Sequence, residues 1–339
     1  MTTTAAHRVP AWFAVGGAVL VGVLTALQAR VNGQLGVRLE HGLTAAVISF
    51  GSGLIVVTVV AFALPSGRRG LRALGSGIRH RTIPWWMLIG GAAGALTVAT
   101  QGLAVGLIGV SLFTVGAVAG QTVSGLLLDR VGYGPAGVVA VTLPRVAGGA
   151  LALAAVAVSL VGGGGFAGVP AWMLALPFLA GVGIAWQQAT NGRLRQRVGT
   201  PVVATFANFV VGTTILLIAA GIAVAVMGPP LTAPSEPWLY VGGALGVAYI
   251  MLSASIVVYT GVLLLGLGAL SGQLVTSFLL DLLWPAPASA GVLVEALTVA
   301  VALGSVLVVA VGGRRRLSPA VPRRRLRDRR VSSSSAVGD

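Results

Sequence analysis

Cysteine is absent from this chain, which excludes disulfides, thiolate metal sites and cysteine nucleophiles. Lysine is absent as well: all 22 basic residues are arginine. Without it there is no Walker A lysine, no kinase lysine and no Schiff-base lysine, and ATP-driven transport by this chain alone lacks its phosphate-binding group. The three histidines, His7, His41 and His80, are scattered through terminal or joint segments with no metal-ligand spacing. No Gly-x-Ser-x-Gly elbow is present. The sequence therefore implies no enzyme, no metal and no cofactor. Charge is scarce too. Only 9% of residues are charged, against about 25% in an ordinary soluble domain, too few to cover a water-facing surface.

What fills the chain is apolar. Hydrophobic residues make up 56% of it, and the mean hydropathy is +0.96. Segments long enough to cross a bilayer, about 20 residues each, fall at 11–31, 43–64, 84–105, 109–128, 138–160, 171–191, 201–227, 237–258, 261–280 and 290–312. Joints between them are marked by Pro65-Ser66-Gly67, Gly162 to Gly165, Gly228-Pro229-Pro230 and Pro285-Ala286-Pro287. The first segment follows few basic residues, like a signal peptide. Ala26 and Ala29 are spaced three apart rather than two, and the segment's second copy is internal, so both are read as retained helices.

The second half of the chain repeats the first. At an offset of 152, Trp86, Gly90, Gly91, Gly94, Gly109, Gly116, Gly120, Gln121, Leu127, Leu128 and Asp129 fall on Trp238, Gly242, Gly243, Gly246, Gly261, Gly268, Gly272, Gln273, Leu279, Leu280 and Asp281. At an offset of 159, Gln28, Asn32, Gly33, Arg38, Phe50 and Gly53 fall on Gln187, Asn191, Gly192, Arg197, Phe209 and Gly212. The expected fold is an all-α membrane protein of ten transmembrane helices. Its first repeat is 11–160, a Gly-rich linker is 161–170, the second repeat is 171–312, and a basic cytoplasmic tail is 313–339. Five helices per repeat require the second to be inverted relative to the first.

Arginine bias orients the chain in the cell membrane. With both termini cytoplasmic, Arg68, Arg69, Arg72, Arg79, Arg81, Arg130, Arg193, Arg195 and Arg197 fall in cytoplasmic joints, and only Arg30 and Arg38 fall outside. The joint after the second segment holds five arginines, whereas its counterpart at 228–236 holds none and carries Glu236. The tail from Arg314 holds nine arginines and two aspartates, and is read as fixing topology beside the lipid bilayer. The net charge of +15 has no folded basic face beside it, so no nucleic-acid partner is expected.

Glycines four apart share a helix face and let backbones approach in lipid. The pairs Gly90/Gly94, Gly116/Gly120, Gly242/Gly246 and Gly268/Gly272 are therefore read as packing faces, joining the third segment to the fourth and the eighth to the ninth. Gln121 lies about twelve residues into its helix, ~18 Å at 1.5 Å per residue, near the middle of a core ~30 Å thick. Gln273 lies at matching depth from the other side. Gln28 with Asn32, and Gln187 with Asn191, are four apart and share a face. These six amides are the candidate substrate-binding residues, each also explicable as a packing hydrogen bond or a polar helix end. Ser49 and its counterpart Asn208 are weaker candidates of the same kind. Asp129, Asp281 and Glu295 are the candidate coupling or gating residues. For the first two, the competing reading is a cap on the following turn.

The Gln28-x3-Asn32-Gly33 pattern, Pro84-Trp85-Trp86 before Gly90-Gly91-x2-Gly94, and above all Gly120-Gln121-x7-Asp129 resemble the YdcZ family of the drug/metabolite transporter superfamily. The second copy departs from the pattern in having Leu239 after Pro237-Trp238 and no counterpart of Gly132. The resemblance implies a cavity lined by segments 1, 3, 4 and 6, 8, 9, with one repeat moving against the other. The expected function is secondary active transport, in the direction of export, of a small organic solute. Proton coupling, where used, would fall to the three acids. A non-transporting membrane scaffold is the alternative, and a continuous hydrated cavity at the depth of Gln121 and Gln273 would separate the two. Single cysteines placed in the 66–83 joint of this cysteine-free chain are expected to react with impermeant maleimides only from the cytoplasmic side. Labelling from outside would overturn the orientation.

Overall fold

The computed structural model describes residues 11–162, 171–230, 234–283 and 292–314. Their regular structure is all helical, and among them no strand is present. The helices are α1 (Ala11–Leu39), α2 (Gly42–Ala63), α3 (Pro65–Arg79), α4 (Gly90–Arg130), α5 (Leu143–Gly162), α6 (Ala171–Val198), α7 (Pro201–Met227), α8 (Gly242–Leu283) and α9 (Val292–Arg314). Short 3₁₀ turns, Trp85–Met87 and Pro237–Tyr240, precede α4 and α8. Windows Trp12–Gly36, Gly42–Ala63, Pro201–Val226 and Pro237–Thr276 are long and apolar enough to cross a membrane. Most of the linker and the tail lie outside the described residues.

The helices depart from the apolar segments in three informative ways. First, α1 and α6 continue past the points where hydropathy fails. Leu35 and Leu39 are buried with Ala45 and Leu239 in one end cluster. Leu194 and Val198 are buried with Ala204 and Met87 in another. The two sets correspond residue for residue under the offsets of 159 and 152.

Second, α8 is one assigned helix of 42 residues, with non-helical dihedrals at Gly261 (φ 70°, ψ 175°). Ile256 packs at Gly17, yet Gly268 packs at Ala18, so the chain turns back on itself at Gly261 and both limbs run along α1. In the same way, Ala93 and Ala117 of α4 meet Gly183 and Gly181 of α6. Those α4 positions are 24 residues apart (117 minus 93), ~36 Å on a straight helix, so α4 also turns back between them. Leaving aside α3, the described limbs number ten. Third, the Gly- and Arg-rich stretch after α2, read as a joint, forms α3. Gly67 lies on the backbone of Ala61, and Gly70 on Thr200, Val203 and Val198. Glycines in the inner face allow the close approach, opposite a strongly polar face of arginines.

The glycine faces do pack, but their closest neighbours are on other helices than expected. A Cβ on Gly22 would lie 1.8 Å from the Ala269 carbonyl oxygen, and one on Gly181 would lie 1.9 Å from that of Ala117. Gly272 faces the carbonyl of Val19, and Gly120 that of Phe178. The first segment therefore packs on the hairpin of the second copy, and the sixth on the hairpin of the first. Every one of these contacts recurs with the copies exchanged. The surroundings of Gly116 fall outside the described residues.

Gly22→Ala is expected to force a helix shift and lower stability by about 1–3 kcal/mol, the usual range for overpacking. Gly16, on the same helix, has open space where a Cβ would stand and should accept Ala without loss. Thermal unfolding of the two variants in detergent makes the comparison.

Candidate functional site

Near the middle of α2, Phe50 meets its own counterpart, Phe209 of α7, with ring centroids 5.2 Å apart. Each ring is admitted by the other copy's glycine: Gly212 faces Phe50, and Gly53 faces Phe209. Polar side chains flank the ring pair on both sides. Gln187 lies over Gly94 beside Phe50, and Gln28 lies over Gly246 beside Phe209. One helical turn on, Asn191 lies over Gly90 and Asn32 over Gly242. Gly90/Gly94 and Gly242/Gly246 are thus seats for amides, where a Cβ at Gly242 would collide with Asn32 Oδ1 at 2.1 Å.

The two sets differ in how well they are satisfied. In the α6 set, Gln187 Nε2 donates to Asn208 Oδ1 at 3.0 Å, and Asn191 Nδ2 donates to the same oxygen at 3.2 Å. Asn208 is 1% exposed, and its own Nδ2 has no partner. In the α1 set, Ser49 stands where Asn208 would be, and both Ser49 Oγ and Asn32 Oδ1 are buried without a partner. Unsatisfied buried polar atoms are costly and uncommon, and here they gather around one ring pair. Four of the six amides named from sequence, Gln28, Asn32, Gln187 and Asn191, are brought to this centre. Ser49 and Asn208 belong with them.

Gln121 sits elsewhere. Its side chain lies against Gly266 and lines a void of about 10 Å³ with Val118, Thr122, Leu263, Leu267 and Leu270. That is room for about one water, not the continuous hydrated cavity considered from sequence. Gln273 does not line it. The Gln273 backbone amide faces Gly22 instead, and its side chain is half-buried.

Asp129, at the end of α4, is 1% exposed. It forms an ion pair with Arg145 of α5. It also accepts the Val262 amide at 2.8 Å and the Leu263 amide at 3.2 Å. These are the first free N–H groups of the limb that begins after Gly261, so the carboxylate caps a helix of the other copy at the favourable end of its dipole. The cap expected from sequence exists, but across the copies rather than on the following turn. The positive φ at Gly261 puts the two amides within reach, and Asp129 fills the space where a Cβ at that position would go. The side chains of Asp281 and Glu295 fall outside the described residues.

The same end carries a group that sequence reasoning passed over. The Arg193 guanidinium stacks 4.9 Å from the Tyr133 ring centroid and 5.8 Å from that of Trp86, and donates to the Gly132 carbonyl. Tyr133 shares a hydrogen bond with Thr190 at 3.0 Å. These too join one copy to the other. The Gly109/Gly261 identity was the available signal for the turn, but aromatic partners of an arginine across the copies leave no mark in spacing. At the opposite end, Arg38 bridges to Glu236 at 2.5 Å in an exposed pair. A backbone hydrogen bond, and then Arg38, hold Glu236 below the ordinary carboxylate range. That bridge is complete at neutral pH and is lost only as pH falls through the lowered value.

Asp129→Ala strands Arg145 and two amides, and is expected to destabilise by about 3–5 kcal/mol. Asp129→Asn combined with Arg145→Gln should recover part of this, because no buried charge remains unpaired. Denaturant unfolding of both variants measures the difference. Equal losses would mean that the cap on α8, rather than the ion pair, dominates.

A family model described as "Putative inner membrane exporter, YdcZ" matches residues 11–158 and 172–312. The two matched stretches overlap the spans 11–160 and 171–312. No curated protein matches. Nineteen chains of solved structures match. One of them, described only as the crystal structure of a protein, is similar with a TM-score of 0.63 and 21% identity over 91% of this chain and 99% of its own length. At that identity the likeness shows the fold alone.

Proposed function

This chain belongs to the YdcZ family of inner membrane exporters, and from that premise we propose that it is a secondary active transporter that exports a small organic solute by alternating access. An exporter family is not an enzyme class, and no catalytic role is assigned to any residue. The observation that carries the reading is the exchange of contacts. Each glycine seat, amide and ring in one copy has its counterpart in the other, and the two sets meet at Phe50 and Phe209. A duplicate that packs by exchange has two arrangements of similar energy, the bistable element that alternating access needs. Five crossing limbs per copy support an inverted pair, 11–160 against 171–312, with both termini cytoplasmic and the 313–339 tail on that side.

In this reading Gln28, Asn32 and Ser49, with Gln187, Asn191 and Asn208, contact the solute when the ring pair parts. The void beside Gln121 and the half-buried Gln273 lie along its path. The conformation seen is closed at the Asp129 end, where the cap on Val262 and Leu263 and the Arg193 stack hold the copies together. Opening there requires both to release. The amide sets contain no acid, and a cation held between them would lack a fixed counter-charge. The solute is therefore neutral or zwitterionic. Proton coupling, where present, falls to Asp129, Asp281 or Glu295.

In proteoliposomes, Gln28→Ala and Gln187→Ala are expected to reduce transport tenfold or more while changing stability little, since a side-chain hydrogen bond in a membrane contributes only ~0.6 kcal/mol on average. The solute is first found by ligand stabilisation of the purified protein. Variants that lose stability and transport in proportion would reduce these residues to packing. Robust transport of quaternary ammonium compounds by a variant lacking all three acids would refute the charge argument.

A further inference from the structure

The helix α3 has no equivalent in the second copy, where residues 228–236 hold no arginine and no described helix joins α7 to the Pro237–Tyr240 turn. It starts at Pro65, two residues after α2 ends at Ala63. Because α2 is a membrane-length apolar span, α3 lies at the membrane boundary. Gly67 on the Ala61 backbone and Gly70 on Val198 and Val203 press it flat across the ends of α2, α6 and α7, with Leu71 and Leu74 half-buried beneath it. At 100° per residue, Arg68, Arg72 and Arg79 fall on one stripe, with Arg69 beside it, opposite the glycine face.

All four arginines, and Arg81 beyond the helix, are exposed. Arg68 is engaged, donating to the carbonyls of Phe62 and Ala63 and so closing the end of α2. No acid is found anywhere from residue 41 to residue 128, and the acid at 129 is buried in its own ion pair. On the neighbouring end of α6, Arg197 is exposed too. Around this basic surface, Phe62, Leu64, Ile78 and Trp85 are also exposed, Trp85 by 71%. Arginines ringed by apolar and aromatic side chains at the end of a span match the headgroup region, where the apolar groups enter the acyl border and guanidinium groups meet phosphates.

We infer that α3 is a seat for anionic lipid headgroups, with Arg69, Arg72 and Arg79 holding the lipid phosphates and Ile78 and Trp85 reaching into the acyl border. The inference rests on the membrane location of the family and not on transport. Its consequence is that the first copy is tied to the lipid surface through a helix that residues 228–236 do not match.

The tail also carries arginines, so the test must read α3 locally. Ser76 is exposed near the arginine stripe, and Ser76→Cys in this cysteine-free full-length chain takes a single fluorophore. In proteoliposomes containing both lipids, brominated phosphatidylglycerol should quench it more than brominated phosphatidylcholine at equal content, by about fivefold or more. Arg69→Gln, Arg72→Gln and Arg79→Gln together should bring the two lipids to equality. The three Lys replacements should keep most of the preference, and Gln replacements in the tail should leave it intact. Equal quenching by the two lipids in the chain with its arginines unaltered would overturn the inference, and that measurement does not depend on the triple variant folding. Loss of the preference in phosphate but not in chloride of equal ionic strength would also overturn it, in favour of a soluble phosphate ligand.

Discussion

Close approach of backbones across the two copies is the constraint on which the rest of this structure depends. Water cannot drive apolar helices together inside a bilayer, so association relies on packing and on hydrogen bonds. At Gly22 and Gly181 the neighbouring carbonyl occupies the space that any side chain would need. These contacts do not tie a copy to itself. They press the first helix of each copy into the hairpin of the other, and every described core cluster draws on both copies. The ring pair, the amide seats and the end clusters all follow from that exchange.

Exchange also explains where buried polarity is tolerated. The amides of α1 and α6 occupy room left by Gly246 and Gly94, so glycine serves side-chain polarity here as much as backbone contact. The sets are unequally satisfied because one member diverged: Asn208 accepts from two amides, and Ser49 from none. Two halves built to one plan thus differ in hydrogen-bonding capacity at their shared centre.

The two ends of the molecule have been differentiated more strongly than its middle. At one end a buried carboxylate, an arginine, two helix-terminal amides and a stacked guanidinium join the copies, and α3 broadens the surface with unopposed arginine. At the other, the described polar link is one exposed ion pair, Arg38 with Glu236, beside the apolar cluster of Leu35, Leu39, Ala45 and Leu239. Buried polar links resist separation far more than exposed ones, because breaking them leaves groups without water or partner. Separating the copies would therefore cost more at the first end than at the second.

By itself the sequence determined the membrane class, the duplication with its two offsets, and the run of apolar segments. Each follows from composition, or from period and identity along one dimension. It also placed Gln28, Asn32, Gln187 and Asn191 on helix faces, since residues four apart share a face whatever the helix packs against. Only the tertiary structure decided which copy each face meets. The glycines could be read as packing sites but not assigned a partner, because a small residue records that something comes close and not what. For the same reason Asp129 was legible as a cap and not as a cap on the other copy's helix. Gln121 and Gln273 looked like one site by depth, yet depth is a single coordinate and side chains meet in three. The helix α3 escaped notice because its mean hydropathy is low and the apolar segments mark only spans, although its arginine and glycine faces are well segregated along the sequence; the backbone of Ala61 against Gly67 shows what that inner face packs on.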